Sequence, residues 1–453
     1  MAEEKVATVD KVNQMLPMGQ LIPLGLQHVL AMYAGAVAVP LIVGGAVGLT
    51  PQQLAFLVAA DLFTCGIATL LQAIGIGQFA GIRLPAILGC TFAAVGPLIV
   101  IGKESGMATA YGAIITAGLI VVLLAPFYGK ILRFFPSVVT GTVVMIIGLS
   151  LIGAGIRNAG GGTPGTPTFG DPKNLLLAGF VIVVIVVMNK YFKGFFQAIS
   201  VLIGLIAGTI IGAFMGMVDF TPVVKAKWLS IIHPFAFGVP KFETGAIVMM
   251  TIVMLIVMIE STGTFLGIAK ICDKKLTEKD IVRGMRVEGI ATAIGGIFNS
   301  FPYTTYNQNL GLLAMSKVTS RFVVIVSGIM LVFLGLIPKF AALATIIPKP
   351  VFGGATTVMF AMVAVAGLKM LHNVDFTKTS NMLVVACSLG VGLGVTMVPG
   401  LFDKTPQIIK TIFGHSGIVS GAFVAVTLNA FLNYGDKESQ ESANPFEEEH
   451  FAG

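Results

Sequence analysis

The chain has 453 residues, of which 56% are hydrophobic and only 11% charged. Soluble domains carry about 25% charged residues, so a water-facing globular surface is excluded and lipid is the solvent for most of the chain. The net charge of +7 lies largely between apolar runs, where it sets membrane orientation rather than marking a nucleic-acid partner.

In chain order, residues 1–16, "MAEEKVATVDKVNQML", mix charges with small residues and lack the apolar stretch of a secretory signal, so they read as a cytoplasmic leader. Apolar runs bounded by Gly, Pro or charge then give fourteen crossings, each needing roughly 20 residues. They centre near residues 32, 63, 93, 118, 146, 182, 207, 256, 292, 310, 329, 361, 390 and 424. With the N-terminus inside, most Lys and Arg residues, Arg83, Lys130, Lys274, Arg283 and Arg321 among them, fall on the cytoplasmic side. An even count of crossings returns the C-terminus there. Residues 436–453 are polar and acidic and read as a disordered cytoplasmic tail.

The third and tenth crossings are short and interrupted. Each is third within a set of seven, the pattern of an inverted-repeat secondary transporter. The interrupting stretches are "RLPAILGCTFAAVG" (83–96) and "SFPYTTYNQNLG" (300–311). Each offers a proline, an extended piece and a helix start. Lipid does not tolerate unpaired backbone, so the two extended pieces are expected to pair with each other. That leaves two helix N-termini aimed at one spot, suited to a polar ligand. The expected fold is an all-α membrane protein with fourteen transmembrane segments. They form two inverted seven-span repeats, residues 17–240 and 241–435, with short antiparallel strands in spans 3 and 10.

A charge at the bilayer centre costs about 3 kcal/mol on insertion scales, so the ionisable residues inside apolar runs are the informative ones: His28, Asp61, Glu260 and Glu288. Glu260 has no neutralising partner three or four residues away. It reads as a substrate carboxylate that also binds a proton, the alternative being a hydrogen bond between helices. Glu288 reads as a proton-exchanging acid, against an ion pair or a solvated helix end. His28 is either a satisfied core histidine or an organiser of the site. Asp61 reads as a structural or gating contact. Gln308 and Asn309 offer amide donors and acceptors to a planar ligand edge. Phe92, Tyr303 and Tyr306 offer rings to stack, or are simply core.

Cys65, Cys90, Cys272 and Cys387 show no CxxC spacing and read as small packing residues, implying neither disulfide nor metal. Gly204, Gly208, Gly212 and Gly216 repeat every four residues, a close-packing stripe. No GxxxxGK[ST], HExxH or GxSxG occurs, so no cofactor and no enzymatic site are expected.

"YNQNLGLLAMSKVTSR" (306–321) resembles the signature of the nucleobase–ascorbate transporter family. "QHVLAMYAG", "GCTF", "MIESTGTF" and "IPKPVFGG" resemble its first, third, eighth and twelfth spans, in order and across nearly the whole chain. The resemblance implies a core domain of spans 1–4 and 8–11 and a gate domain of spans 5–7 and 12–14. It implies proton-coupled uptake of a nucleobase across the cell membrane by alternating access, in a homodimer. Carried over by motif position, Glu260 binds the base, Gln308 and Asn309 complete the polar edge, and Phe92 stacks. Glu288 takes the acidic coupling position, and Phe360 is a gate-side aromatic. Uracil carriers of the family have a carboxylate at the place of Gln308 and a histidine at that of Thr264. The resemblance is therefore to the bacterial xanthine and uric acid branch, although Ser316 stands where the signature has threonine. A uracil symporter and an inorganic anion transporter of related fold are the alternatives.

Overall fold

The structure, a computed structural model, describes residues 10–433 apart from 133, 399, 407–408 and 415. Residues 1–9 of the leader and the whole of the acidic tail lie outside the described residues. The first half contains α1 (Met18–Val47), α2 (Pro51–Ile74), strand β1 (Leu88–Cys90) leading into α3 (Val95–Glu104), and α4 (Met107–Leu124). It continues with α5 (Ser137–Ala159), α6 (Pro172–Tyr191) and α7 (Ser200–Phe214). The second half contains α8 (Thr244–Ile271), α9 (Glu278–Ile297), strand β2 (Tyr303–Thr305) leading into α10 (Asn307–Ser316), and α11 (Arg321–Gly335). It ends with α12 (Lys349–Met370), α13 (Thr379–Met397) and α14 (Gly417–Leu432).

Local chemistry sets the helix ends. α2 starts at a capping box in which Thr50 and Gln53 satisfy each other's backbone. α9 starts at another, between Thr277 and Asp280, and its acidic first turn complements the helix dipole. α1 ends at Gly48, whose φ of 83° closes the helix in the left-handed region.

Among the described residues, eight helices are long and apolar enough to cross a membrane alone. The other crossings fall short for visible reasons. α7 and α14 are brief, and α9 carries charge in its first turns. α11 bends by 80° into the short helix Pro338–Thr345. The third and tenth crossings are the broken ones.

The helix contacts repeat when each helix is replaced by its counterpart seven places along. α2 packs on α11 as α9 packs on α4, α1 on α11 as α8 on α4, and α6 on α7 as α13 on α14. The α5–α12 pair and the β1–β2 pair each map onto themselves. Those self-paired contacts sit on the axis that relates the halves. At that axis β1 and β2 run antiparallel, with Leu88 opposite Thr305, Gly89 opposite Thr304 and Cys90 opposite Tyr303.

One apolar cluster gathers α1, α2 and α11 around the strand pair, joining Met32, Leu62, Leu88, Tyr303, Tyr306 and Leu331. It also takes in Ile232 from the connection between α7 and α8. On the leader side, Val12 is buried, and Arg321 N donates to Val12 O at 3.0 Å. The ammonium of Lys274, 3.0 Å from Asp10, holds that carboxyl below its usual range. This exposed tie is present above the ordinary Asp value and is lost as pH falls through the lowered one.

The stripe at Gly204, Gly208 and Gly212 packs against Val181, Ile185, Val351 and Pro348, while Gly216 lies past the helix end with open space beside it. Tighter contact occurs between α5 and α12. A Cβ on Gly148 would lie 2.6 Å from the Phe360 carbonyl oxygen and 2.7 Å from Ala364 Cα. Backbone on both sides leaves nothing to yield. Gly148→Val is expected to cost at least the roughly 1–3 kcal/mol typical of overpacking, read as a lower melting temperature of the purified protein. An unchanged melting temperature would show that this helix pair can separate freely.

Candidate functional site

The site is assembled where the strand pair meets α8 and α9. Backbone accounting explains its shape. Leu88 N donates to Thr69 Oγ1 at 3.1 Å, Tyr306 N to Ile87 O at 2.9 Å, and Thr91 N to Pro302 O at 2.9 Å. Tyr303 N donates to Thr292 Oγ1 at 3.1 Å. Buried irregular backbone is thereby satisfied by the protein itself.

Glu288, on α9, is fully buried. Its Oε1 accepts from Thr305 N at 3.0 Å and from Thr305 Oγ1 at 2.7 Å. Its Oε2 is buried without a partner. Glu288 therefore grips β2 with one oxygen and keeps the other free. Among the described residues it has no ion-pair partner, and it does not stand at a solvated helix end. Ser261, one residue past Glu260 on α8, bonds Thr304 Oγ1 at 3.0 Å and accepts from Thr305 N at 3.3 Å. These contacts lock α8 to β2.

Glu260 is half-buried, and among the described residues its carboxylate has no hydrogen-bond or ion-pair partner. One turn on, Thr264 Oγ1 donates to Asn307 Oδ1 at 2.9 Å. Another turn on, Gly267 meets Leu310 of α10, with a Cβ–Cδ2 separation of 2.9 Å if a Cβ were present. Thr264 and Gly267 thus seat the start of α10, while Gly263 is exposed with open space beside it. That start carries no side-chain cap, so its first N–H groups and the positive end of the helix dipole are available to a ligand.

The amide pair Gln308–Asn309 separates. Gln308 is exposed, with no protein partner among the described residues. Asn309 is buried and turns to α1, where its Nδ2 lies 3.1 Å from both His28 O and His28 Nδ1. The His28 carbonyl only accepts, so the amide nitrogen must face it. His28 Nδ1 is then the acceptor and the ring proton sits on Nε2. Asn309 Oδ1 is left buried and unpaired.

Phe92 follows β1 in the 3-10 turn Phe92–Ala94. Its ring meets that of Phe360 from α12 edge to face, centroids 5.5 Å apart at 88°. Tyr306 lies elsewhere. Its ring is buried against Gly89 and Gly35, and its hydroxyl has no partner. The structure therefore brings together Glu260, Glu288 and the start of α10 and sets Phe92 against Phe360, while Asn309 joins His28 and Tyr306 sits within the strand packing.

Sequence reasoning missed Ser261, Thr305 and Asn307, which make the bonds that fix the acids and the helix start. All three stand within quoted polar stretches, and that was the available signal. It also read Cys65 and Cys90 as packing only, although both thiols face Asp61 Oδ2, at 3.6 and 3.5 Å. Cys272 is buried, whereas Cys387 is exposed.

Paired broken helices, lone acids at their junction and two exchanged sets of seven helices define an inverted-repeat secondary transporter. Residues 19–401 match a model described as the Permease family. The chain belongs to that family, in its bacterial xanthine and uric acid permease branch. It is 51% identical to the nucleobase transporter PlUacP of Paenibacillus larvae, over 96% of this chain and 99% of that one. It is 52% identical to the uric acid permease PucK of Bacillus subtilis, over 91% and 95%, and 48% identical to the xanthine permease of B. subtilis, over 92% and 95%. Among solved structures, the transmembrane domain of the cyanobacterial bicarbonate transporter BicA matches with a TM-score of 0.60 over 90% of this chain and 99% of that one. At 17% identity it bears on the fold alone.

Asn309→Asp would set an acceptor against the His28 carbonyl and against Nδ1. A buried, unmade hydrogen bond costs about 1–3 kcal/mol, so the melting temperature of the purified variant is expected to fall by several degrees. A wild-type value would contradict the assigned amide orientation.

Proposed function

We propose that this transporter imports xanthine and uric acid with protons across the cell membrane, as a homodimer with both termini cytoplasmic. Residues 17–240 and 241–435 form its two inverted repeats. Spans 1–4 and 8–11 move as a core against a gate of spans 5–7 and 12–14.

The observation that carries this reading is the pairing of an unpartnered carboxylate, Glu260, with the uncapped start of α10. An oxopurine presents ring N–H donors beside carbonyl acceptors on one flat edge. The carboxylate accepts from the former and the helix N–H groups donate to the latter, both charge-assisted or dipole-assisted. The exposed Gln308 amide and the Asn309 side-chain carbonyl complete that edge, and Phe92, braced edge to face by Phe360, supplies aromatic surface, while Tyr306 stays within the strand packing. Glu288, with one oxygen holding β2 and one free, is the coupling acid. His28 organises the site by fixing Asn309.

In the cycle, a proton on the acidic pair removes the charge that would oppose burial. The core then moves and the purine is released inside. The relatives named as xanthine and uric acid permeases support the substrate class. An inorganic anion is disfavoured, because it has no ring N–H donors to offer the Glu260 carboxylate.

The test is uptake of labelled xanthine, urate and uracil in cells lacking their own purine carriers, with and without a proton gradient. Xanthine or urate should accumulate, and collapse of the gradient should abolish accumulation. Competition by uracil, or uptake indifferent to the gradient, would overturn the corresponding half of the reading. Glu260→Gln removes a charge-assisted bond of about 1.5–3 kcal/mol, so a loss of about 10- to 100-fold in apparent affinity is expected. Proton-driven uptake that survives unchanged in that variant would remove Glu260 from the site.

A further inference from the structure

A third acid beside the strand pair has no part in the proposed cycle. Asp61, on α2, is fully buried. Its Oδ1 accepts from Ser300 Oγ at 2.7 Å and from Tyr303 Oη at 3.1 Å. Its Oδ2 accepts from Cys90 Sγ at 3.5 Å and Cys65 Sγ at 3.6 Å. Ser300 and Tyr303 also bond each other at 2.7 Å, and Tyr303 bonds Thr64. The titratable groups facing Asp61 are thus two thiols and a phenol. Among the described residues no Lys, Arg or His side chain bonds it.

Four proton donors converge on this carboxylate, an arrangement that suits a fixed acceptor. Glu260 and Glu288 differ, since each keeps an oxygen without a partner. What Asp61 holds is specific. Cys90 is the last residue of β1, two before Phe92. Tyr303 is the first residue of β2, two before Thr305, which grips Glu288. One carboxylate therefore ties the ends of both strands to α2.

We propose that Asp61 is a positioning residue for transport: it fixes the strand pair so that Phe92 and Glu288 stand correctly against α8, and it does not carry the transported proton. This rests on the reading of that junction as the substrate site.

The experiment measures exchange of labelled for unlabelled xanthine and urate in proteoliposomes at equal pH on both sides, accumulation under an inward proton gradient, and the melting temperature. Asp61→Asn replaces one of the two acceptor oxygens by an amide NH2 and removes the negative charge, so either the hydroxyl pair or the thiol pair loses its acceptor and the remaining bonds are no longer charge-assisted. Its KM for exchange is expected to rise about 10-fold or more, as the loss of bonds to a charged group implies, with the melting temperature within a few degrees of wild type. Tyr303→Phe and Ser300→Ala each remove one neutral donor and should raise KM about 2- to 10-fold. They decide the matter if the Asp61 variant fails to fold.

Exchange with a wild-type KM in all variants overturns the proposal. So does intact exchange in Asp61→Asn with loss of gradient-driven accumulation alone, which would make Asp61 a proton carrier. A lowered melting temperature with unchanged KM would reduce the cluster to holding the fold. A wild-type protein that exchanges neither purine removes the functional reading itself, and this proposal with it. Active wild type beside indifferent variants removes only the role of Asp61.

Discussion

In hydrocarbon every backbone N–H and C=O must find a partner within the protein. That constraint governs the centre of this molecule. Two crossings are broken, and each break frees backbone groups that lipid cannot satisfy. The chain answers by pairing the two breaks. β1 and β2 satisfy one another, and what they leave over is taken by Thr69, Thr292, Ser261 and Glu288. Several polar side chains around the site are therefore present because the backbone requires them. What remains open after that requirement is met is the Glu260 carboxylate, one oxygen of Glu288, the Asn309 carbonyl and the uncapped first turn of α10.

The breaks and their pairing were legible in the sequence, because a hydrophobic crossing interrupted by Pro and polar residues has few physical solutions. The equivalence of the two halves was legible for the same reason. The side-chain assignments at the junction were less so. Gln308 and Asn309 were read as one edge because they are adjacent, but consecutive helix residues point about 100° apart. Asn309 faces His28, while Asn307 takes the contact to Thr264. The partner of Glu288 was invisible along its own helix, since Thr305 reaches it across the tertiary fold. The network around Asp61 was hidden for that reason too, although α2 carried a signal. Asp61, Cys65, Thr69 and Gln72 fall at helical spacing on one face, and all four are buried. Asp61 and Cys65 join the strand-end cluster, Thr69 holds Leu88 N, and Gln72 holds Ile82 N at 3.1 Å. A polar row on one face of a membrane helix reads as a spine for irregular backbone opposite it.

The connection between the halves follows the same logic of pairing. From Val223 onward it is bonded to core elements. Lys339 Nζ donates to Val223 O at 3.0 Å, Ser230 N to Leu336 O at 3.0 Å, and Phe235 N to Ile297 O at 3.0 Å. Asn299 Nδ2 donates to His233 O at 2.9 Å, and Lys241 N to Ala108 O at 3.1 Å. On the other side, the last bond to α7 is Met217 N to Gly212 O at 2.9 Å. Among the described residues, only the stretch between Met217 and Val223 separates the two sets of bonds, with the short helix Thr221–Lys225 beginning inside it. The polypeptide after that stretch is part of the core in packing as well as in hydrogen bonding, since Ile232 sits in the core cluster and Phe237 lies against Phe56 and Tyr111. Rigid-body motions are absorbed by a few residues at element ends. A displacement of α7 against the helices around the strand pair would be concentrated in those few residues, while the bonds that keep the strand pair satisfied all lie on one side of them.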